Sequence, residues 1–180
     1  MIRQARWLVA AAVAVTVGVA LNGRLNAASE KQTAPAKKWA SGKKPAPAFS
    51  AETLDGKKIS LSDYKGKSVV LLNFFASWCG PCRSEYPHLK EIDEQFRKRG
   101  IQVISVSIDQ DRSKAGELAE RAGAKFPVIH DAKGELAARY GVSAIPLNVI
   151  VDSDGNVVQT VLGADVRALR AAAEKLSKRG

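Results

Sequence analysis

The stretch from Val69 to about Arg99 constrains this chain more than any other. Val69-Val70-Leu71-Leu72-Asn73-Phe74-Phe75 is an apolar run broken only by Asn73, and it reads as a buried strand. From Arg83 onward Tyr86, Leu89, Ile92 and Phe96 recur at helical spacing, until Gly100 supplies a stop signal. Between strand and helix lies Trp78-Cys79-Gly80-Pro81-Cys82, which holds both cysteines of the 180-residue chain. The pair therefore sits at a strand-to-helix turn with Cys79 near the helix N-terminus. There the unpaired backbone N–H groups and the helix dipole stabilise a thiolate. Pro81 is tolerated because the first turn has no intrahelical N–H partner to lose. Two residues between cysteines is the spacing of a redox dithiol, in which one thiolate attacks and the other resolves.

A bare C-x-x-C is also the form of a zinc half-site. Structural zinc takes four protein ligands, and catalytic zinc three plus water. Besides its two cysteines the chain has only two histidines, His88 and His130. His88 reads as a solvated residue of the redox helix and His130 as a strand end, so no metal site is expected.

The length suits one domain, and 46% hydrophobic residues suffice for a proper core. The net charge of +10 is unevenly placed. Residues 1–28 carry three positive charges and residues 29–48 a net four, which leaves +3 for residues 49–180. The folded part is only mildly basic, and its aromatics fall at core spacings. That pattern argues against a nucleic-acid partner.

Residues 1–28 read as a signal peptide or an N-terminal membrane anchor. Arg3 and Arg6 precede fifteen apolar or small residues, Trp7 to Leu21. That run is long for a signal core and short of the roughly 18–20 residues that span a bilayer comfortably. Cleavage after an imperfect small-residue site and retention as a membrane tether through residues 7–21 both stay open, and both export the remainder. Residues 29–48, rich in Ala, Lys and Pro, read as a linker. The folded domain is expected over 49–180. Asp55-Gly56 marks a hairpin between Phe49–Leu54 and Lys58–Leu61. Strands follow at Ile101–Ile108, Phe126–Ile129, Ala144–Val151 and Asn156–Leu162. Helices are expected over residues 113–122, Leu136–Tyr140 and Val166–Leu176. Strands alternate with helices and then close on a hairpin and a helix, the order of an α/β domain with a mixed sheet.

Four features in this order resemble the thioredoxin superfamily, in its exported TlpA/ResA-type branch. They are Asn73 to Arg83 around the dithiol, Glu85 with Pro87, Tyr140-Gly141-Val142-Ser143-Ala144-Ile145-Pro146, and Asp152-Ser153-Asp154-Gly155. The resemblance runs from about Pro47 to Leu176. It implies a thioredoxin-like α/β fold: a central mixed β-sheet flanked by helices, with an N-terminal β-hairpin and an added strand–helix insertion between Ser113 and Val142. Two positions depart from the wider pattern. Cytosolic thioredoxins carry a buried Asp where this chain has Asn73, which cannot take a proton. Most relatives carry Thr where this chain has Leu147.

What the resemblance implies is an exported thiol–disulfide oxidoreductase working as a reductase of envelope protein disulfides, in cytochrome c maturation or copper-site assembly. Cys79 would be the nucleophile and Cys82 the resolving thiol, the two forming the redox-active disulfide. Glu85, which the branch associates with the site, or a water would activate Cys82; spacing puts Glu85 on the same helix face as Cys82, and from spacing alone it is equally an ordinary first-turn Glu stabilised by the helix dipole. Trp78, Pro81, Ile145 and Pro146 would bind substrate, with Pro146 at the family's cis-proline position and the Ile145 backbone pairing with a substrate strand. No cofactor is implied. An oxidising compartment implies a membrane thiol-electron donor for re-reduction. Two other classes compete. A thioredoxin-like chaperone module would hold copper(I) on the two thiolates. A peroxiredoxin-type peroxidase would need Pro at position 72 and Thr or Ser at 76, where the chain has Leu72 and Ala76.

Overall fold

A computed structural model describes residues 43–177. The signal or anchor segment and residues 29–42 of the expected linker lie outside the described residues. Among the described residues no helix is long and apolar enough to cross a membrane.

The first strand, β1 (Lys44–Pro45), precedes a hairpin of β2 (Ser50–Glu52) and β3 (Lys58–Ser60). Then come β4 (Val69–Phe75), α1 (Gly80–Phe96), β5 (Ile101–Ser107), α2 (Arg112–Ala122), β6 (Val128–His130) and α3 (Glu135–Arg139). The chain closes with β7 (Leu147–Val151), β8 (Asn156–Leu162) and α4 (Val166–Leu176). Among the described residues six strands form one mixed sheet in the order β1-β8-β7-β4-β5-β6, and the β2–β3 hairpin forms a separate two-stranded sheet. Strand β4 runs parallel to β5 and antiparallel to β7, so it lies in the middle of the sheet. All seven of its residues are buried, as a strand covered on both faces requires. This is the thioredoxin-like α/β fold.

Successive side chains of β4 serve two cores. Leu71 and Phe75 face α1, α2 and α4 and pack with Tyr86, Leu89, Ile92, Leu118 and Leu169. Val70, Leu72 and Phe74 face the other way, toward Phe49, Leu136 and Tyr140. Helix α1 carries a proline, Pro87, inside it. An interior proline costs about 3 kcal/mol. The buried stripe of Tyr86, Leu89, Ile92 and Phe96 outweighs that, at about 1.5–3 kcal/mol for each large apolar side chain. The helix tightens into a last turn at Arg97–Arg99 and stops at Gly100, whose φ of 85° is the left-handed conformation that glycine adopts without cost.

Three expectations shift. The folded domain begins before residue 49. Strand β1 pairs with β8, the Ala46 N–H donates to the Gly155 carbonyl, and Lys43 sits 2.9 Å from the Asp152 carboxylate. Tyr140 and Arg139 donate to the carbonyls of Pro47 and Ala48. These contacts are almost all to backbone, so they need no apolar pattern, and Pro45 is tolerated in an edge strand. Strand β6 starts at Val128 rather than Phe126, although the Pro127 carbonyl still accepts from the Ser105 N–H. Strand β7 starts at Leu147 rather than Ala144, because the Ile145–Pro146 bond is cis and turns the chain just before it.

Candidate active site

Strand β4 runs out at Phe75, and four residues later Cys79 caps α1 in an extended conformation, with φ −79° and ψ 113°. Its Sγ accepts the Cys82 backbone N–H at 3.2 Å. At ordinary helix starts a Ser or Asp oxygen fills that place. Once reduced, a Cys79 thiolate has this donor and the positive end of the helix dipole in hand. Cys79 and Cys82 are joined in a disulfide, their Cα atoms 5.2 Å apart. Cys82 is 1% exposed and Cys79 5%. Pro81 lies exposed in the first turn.

The second half of the site arrives from 66 residues away. The cis Ile145–Pro146 segment crosses the dithiol, with the Ile145 carbonyl oxygen 3.8 Å from Cys79 Sγ. Pro146 is buried and its carbonyl accepts the Gly163 N–H at 2.8 Å. Trp78, which precedes Cys79 in the chain, is 66% exposed.

Glu85 lies one helical turn beyond Cys82 and is 1% exposed. It faces inward to the sheet. Asn73 Nδ2 donates to Oε2 at 3.1 Å, and Asn148 Nδ2 donates to Oε1 at 2.9 Å. Burial pushes the Glu85 carboxyl up from 4.5 to about 7, against the pull of the two amides. A carboxyl poised there can take and give a proton near neutral pH. On α1 Cys82 and Glu85 are both buried, and Glu85 lies beyond the first turn.

Two contributors were not foreseen. Asn148 sits inside an apolar strand, where it reads as an interruption. Asp109 follows β5 and is 3% exposed. Its carboxyl accepts the Ser77 N–H at 2.9 Å, the Ser77 hydroxyl at 2.8 Å and the Ser107 hydroxyl at 2.7 Å. It braces the loop that carries Trp78 and Cys79. Asp109→Ala leaves the Ser77 N–H without an acceptor. The expected cost is about 1–3 kcal/mol, read as a lower urea midpoint with unchanged slope. A midpoint unmoved from wild type would show that the loop holds itself.

His130 ends β6, with Nε2 2.8 Å from the Asp109 carbonyl oxygen. His88 is part exposed on α1, 3.3 Å from Glu91. Among the described residues no three His, Cys, Asp or Glu side chains gather as a metal site would need. Ala76, where the peroxidase pattern needs a hydroxyl, is a fully buried methyl.

Residues 43–160 match the AhpC/TSA family. Thiol-disulfide oxidoreductase ResA of Bacillus thuringiensis subsp. konkukian is 36% identical over 124 residues, covering 69% of this chain and 71% of that one. ResA of Geobacillus thermodenitrificans is 33% identical over 118 residues, covering 66% and 67%. Among solved structures, a putative thiol:disulfide interchange protein DsbE from Chlorobium tepidum superposes with a TM-score of 0.68 at 34% identity, covering 74% of this chain and 97% of that one.

Proposed function

We propose, for a chain that belongs to the AhpC/TSA family and to its ResA-like thiol–disulfide oxidoreductases, that it reduces protein disulfides in the cell envelope. The oxidoreductase acts on disulfide-bearing proteins through the Cys79–Cys82 pair. The direction, the compartment and the individual roles are our reading. The observation that carries the roles is the position of Cys79 Sγ. It takes a backbone N–H at the helix start and lies 3.8 Å from the Ile145 carbonyl, and the preceding residue, Trp78, is exposed.

In the forward reaction a Cys79 thiolate attacks one sulfur of the substrate disulfide. The substrate S–S bond breaks, a Cys79–substrate bond forms, and the other substrate sulfur leaves as a thiolate and takes a proton. Cys82 then gives its proton to Glu85 and attacks Cys79 Sγ. The mixed disulfide breaks, the second substrate sulfur leaves as a thiolate and takes a proton from water, and the two electrons given up by the protein dithiol now reside in two substrate thiols. Ile145 offers its backbone to the substrate strand, the cis Pro146 holds that residue at the dithiol, and Trp78 and Pro81 border the strand. The Cys79–Cys82 disulfide is then returned to the dithiol by a membrane thiol-electron donor.

Gly80-Pro81 supports the reducing direction, since that dipeptide belongs to reducing thioredoxin-type sites. Their potential is about −270 mV, against about −120 mV for DsbA. At about 30 mV per tenfold for two electrons, the gap is about five powers of ten in equilibrium constant. The apolar run of residues 7–21 supports export, with or without a retained tether. The substrates we assign are envelope proteins of cytochrome c maturation or copper-site assembly, the class that the resemblance implies.

Equilibration of the protein with a glutathione or dithiothreitol redox buffer tests the direction. A midpoint at or below about −220 mV, with stoichiometric transfer of one insulin disulfide to the reduced protein, is expected. A midpoint near the DsbA value would make it an oxidant.

A further inference from the structure

Strands β7, β4 and β5 are neighbours, and their registers set Asn148 opposite Asn73 and Asn73 opposite Ser105. All three side chains are fully buried. They lie on the face that α1 covers, because Asn73 alternates with Leu71 and Phe75, which pack against that helix. A row of polar groups across three core strands is costly unless each is paired. Each is paired here, and in one direction. The Ser105 hydroxyl donates to Asn73 Oδ1 at 3.3 Å. That fixes which way the Asn73 amide faces. Its Nδ2 then donates to Asn148 Oδ1 at 2.9 Å as well as to Glu85. With its oxygen so occupied, Asn148 turns its own Nδ2 to Glu85.

We propose that Asn148 is the positioning residue for Glu85: with Asn73 it grips both carboxylate oxygens from the sheet side, fixes the plane of the carboxyl and favours its ionised form in a buried place. An ionised carboxylate accepts from both amides. A protonated one has to put its hydrogen on a lone pair that neither amide uses. The row therefore biases the proton balance without carrying charge. The other titratable groups on the buried end of α1 are Cys79, Cys82 and Tyr86, while β4, β5 and β7 present Asn73, Ser105 and Asn148. Burial and the two amides account for the displaced proton affinity of Glu85, with no charged partner among its causes.

The inference deepens the part given to Glu85 above, and rests on that part only for its effect on turnover. The test is a carbon NMR titration of the Glu85 carboxyl in the oxidised protein, where the cysteines do not titrate. Asn148→Leu removes one donor. The midpoint is expected to rise by about one to two pH units, the worth of one hydrogen bond to a charged group. Asn148→Asp keeps the acceptor for Asn73 and the side-chain shape but replaces the donor with a second carboxyl. The last proton should then leave the pair at higher pH than it leaves Glu85 in wild type. This second variant carries the test if Asn148→Leu does not fold. A Glu85 midpoint within about 0.3 units of wild type in a folded variant overturns the proposal. Turnover against pH separates the two readings. If the carboxyl midpoint rises and the acid limb of turnover rises with it, both stand. If the midpoint rises while the limb stays, Asn148 still positions Glu85, and it is the proton-carrying role of Glu85 that fails.

Discussion

Cys79→Ser is expected to abolish reduction of a protein disulfide, by about three orders of magnitude or more. Cys82→Ser is expected to stop after one step with the substrate covalently held. A hydroxyl at the helix start gains the same backbone donor that Cys79 Sγ has now. That donor cannot bring an alcohol near ionisation at neutral pH, so the nucleophile is lost outright. With Cys82 replaced, the first attack is intact and the mixed disulfide has no internal thiol to resolve it. Non-reducing electrophoresis and mass spectrometry of the Cys82→Ser protein after incubation with insulin, or with an envelope extract, should find the partner on Cys79. The accessibilities favour this order only slightly, 5% against 1%, so the backbone donor to Cys79 is the stronger ground. Capture by the Cys79→Ser protein through Cys82 instead would reverse the two roles.

What the sequence made legible follows from where each signal is stored. The dithiol turn, β4 and α1 are local: an apolar run, a proline in the first turn and a helical stripe all lie within about thirty residues. Helix α4 is stored the same way and spans Val166–Leu176 as its periodicity suggests. The Asn148 amide is not local. Its meaning depends on the β4–β7 register, which joins residues 75 positions apart, so in one dimension it reads as a flaw in an apolar strand. Asp109 is equally silent, because a loop carboxylate after a strand has many ordinary uses, and its bonds to Ser77 span 32 positions. Strand β1 failed for another reason. Two residues that pair through their backbone leave no pattern, and a proline-rich neighbourhood argues for a linker. Glu85 lies between these cases. Its helix face was readable from Cys82, while its burial, which sets its chemistry, came only with the sheet beneath it.

Glu85→Gln is expected to change both the pH dependence of stability and the rate of resolution. The first is best measured on the oxidised protein. The folded-state pKa of Glu85, about 7, stands above the ordinary 4.5. Between these values the native state holds a proton that the unfolded chain has released, so stability falls as pH rises. The contribution is fully present below pH 4.5 and lost as pH passes through about 7, on the order of 3 kcal/mol in all. Gln cannot titrate. Subtracting the urea-derived stability of the variant from that of wild type should leave this slope alone, since every other titrating group is common to both. A constant offset is also expected, because the Gln amide sets a donor against one of the Asn donors, at about 1–3 kcal/mol. An offset without a slope would mean that Glu85 ionises as an ordinary surface carboxyl. In the reduced protein the same substitution removes a negative charge one turn from Cys82. The cysteine absorbance should then titrate at lower pH. Resolution should nevertheless slow about ten- to a hundredfold near pH 7, because the proton of Cys82 has lost its acceptor and must leave through water. A lower thiol pKa together with slower resolution distinguishes a proton carrier from a mere charge. A charge alone, once removed, would make Cys82 a readier thiolate and speed the step.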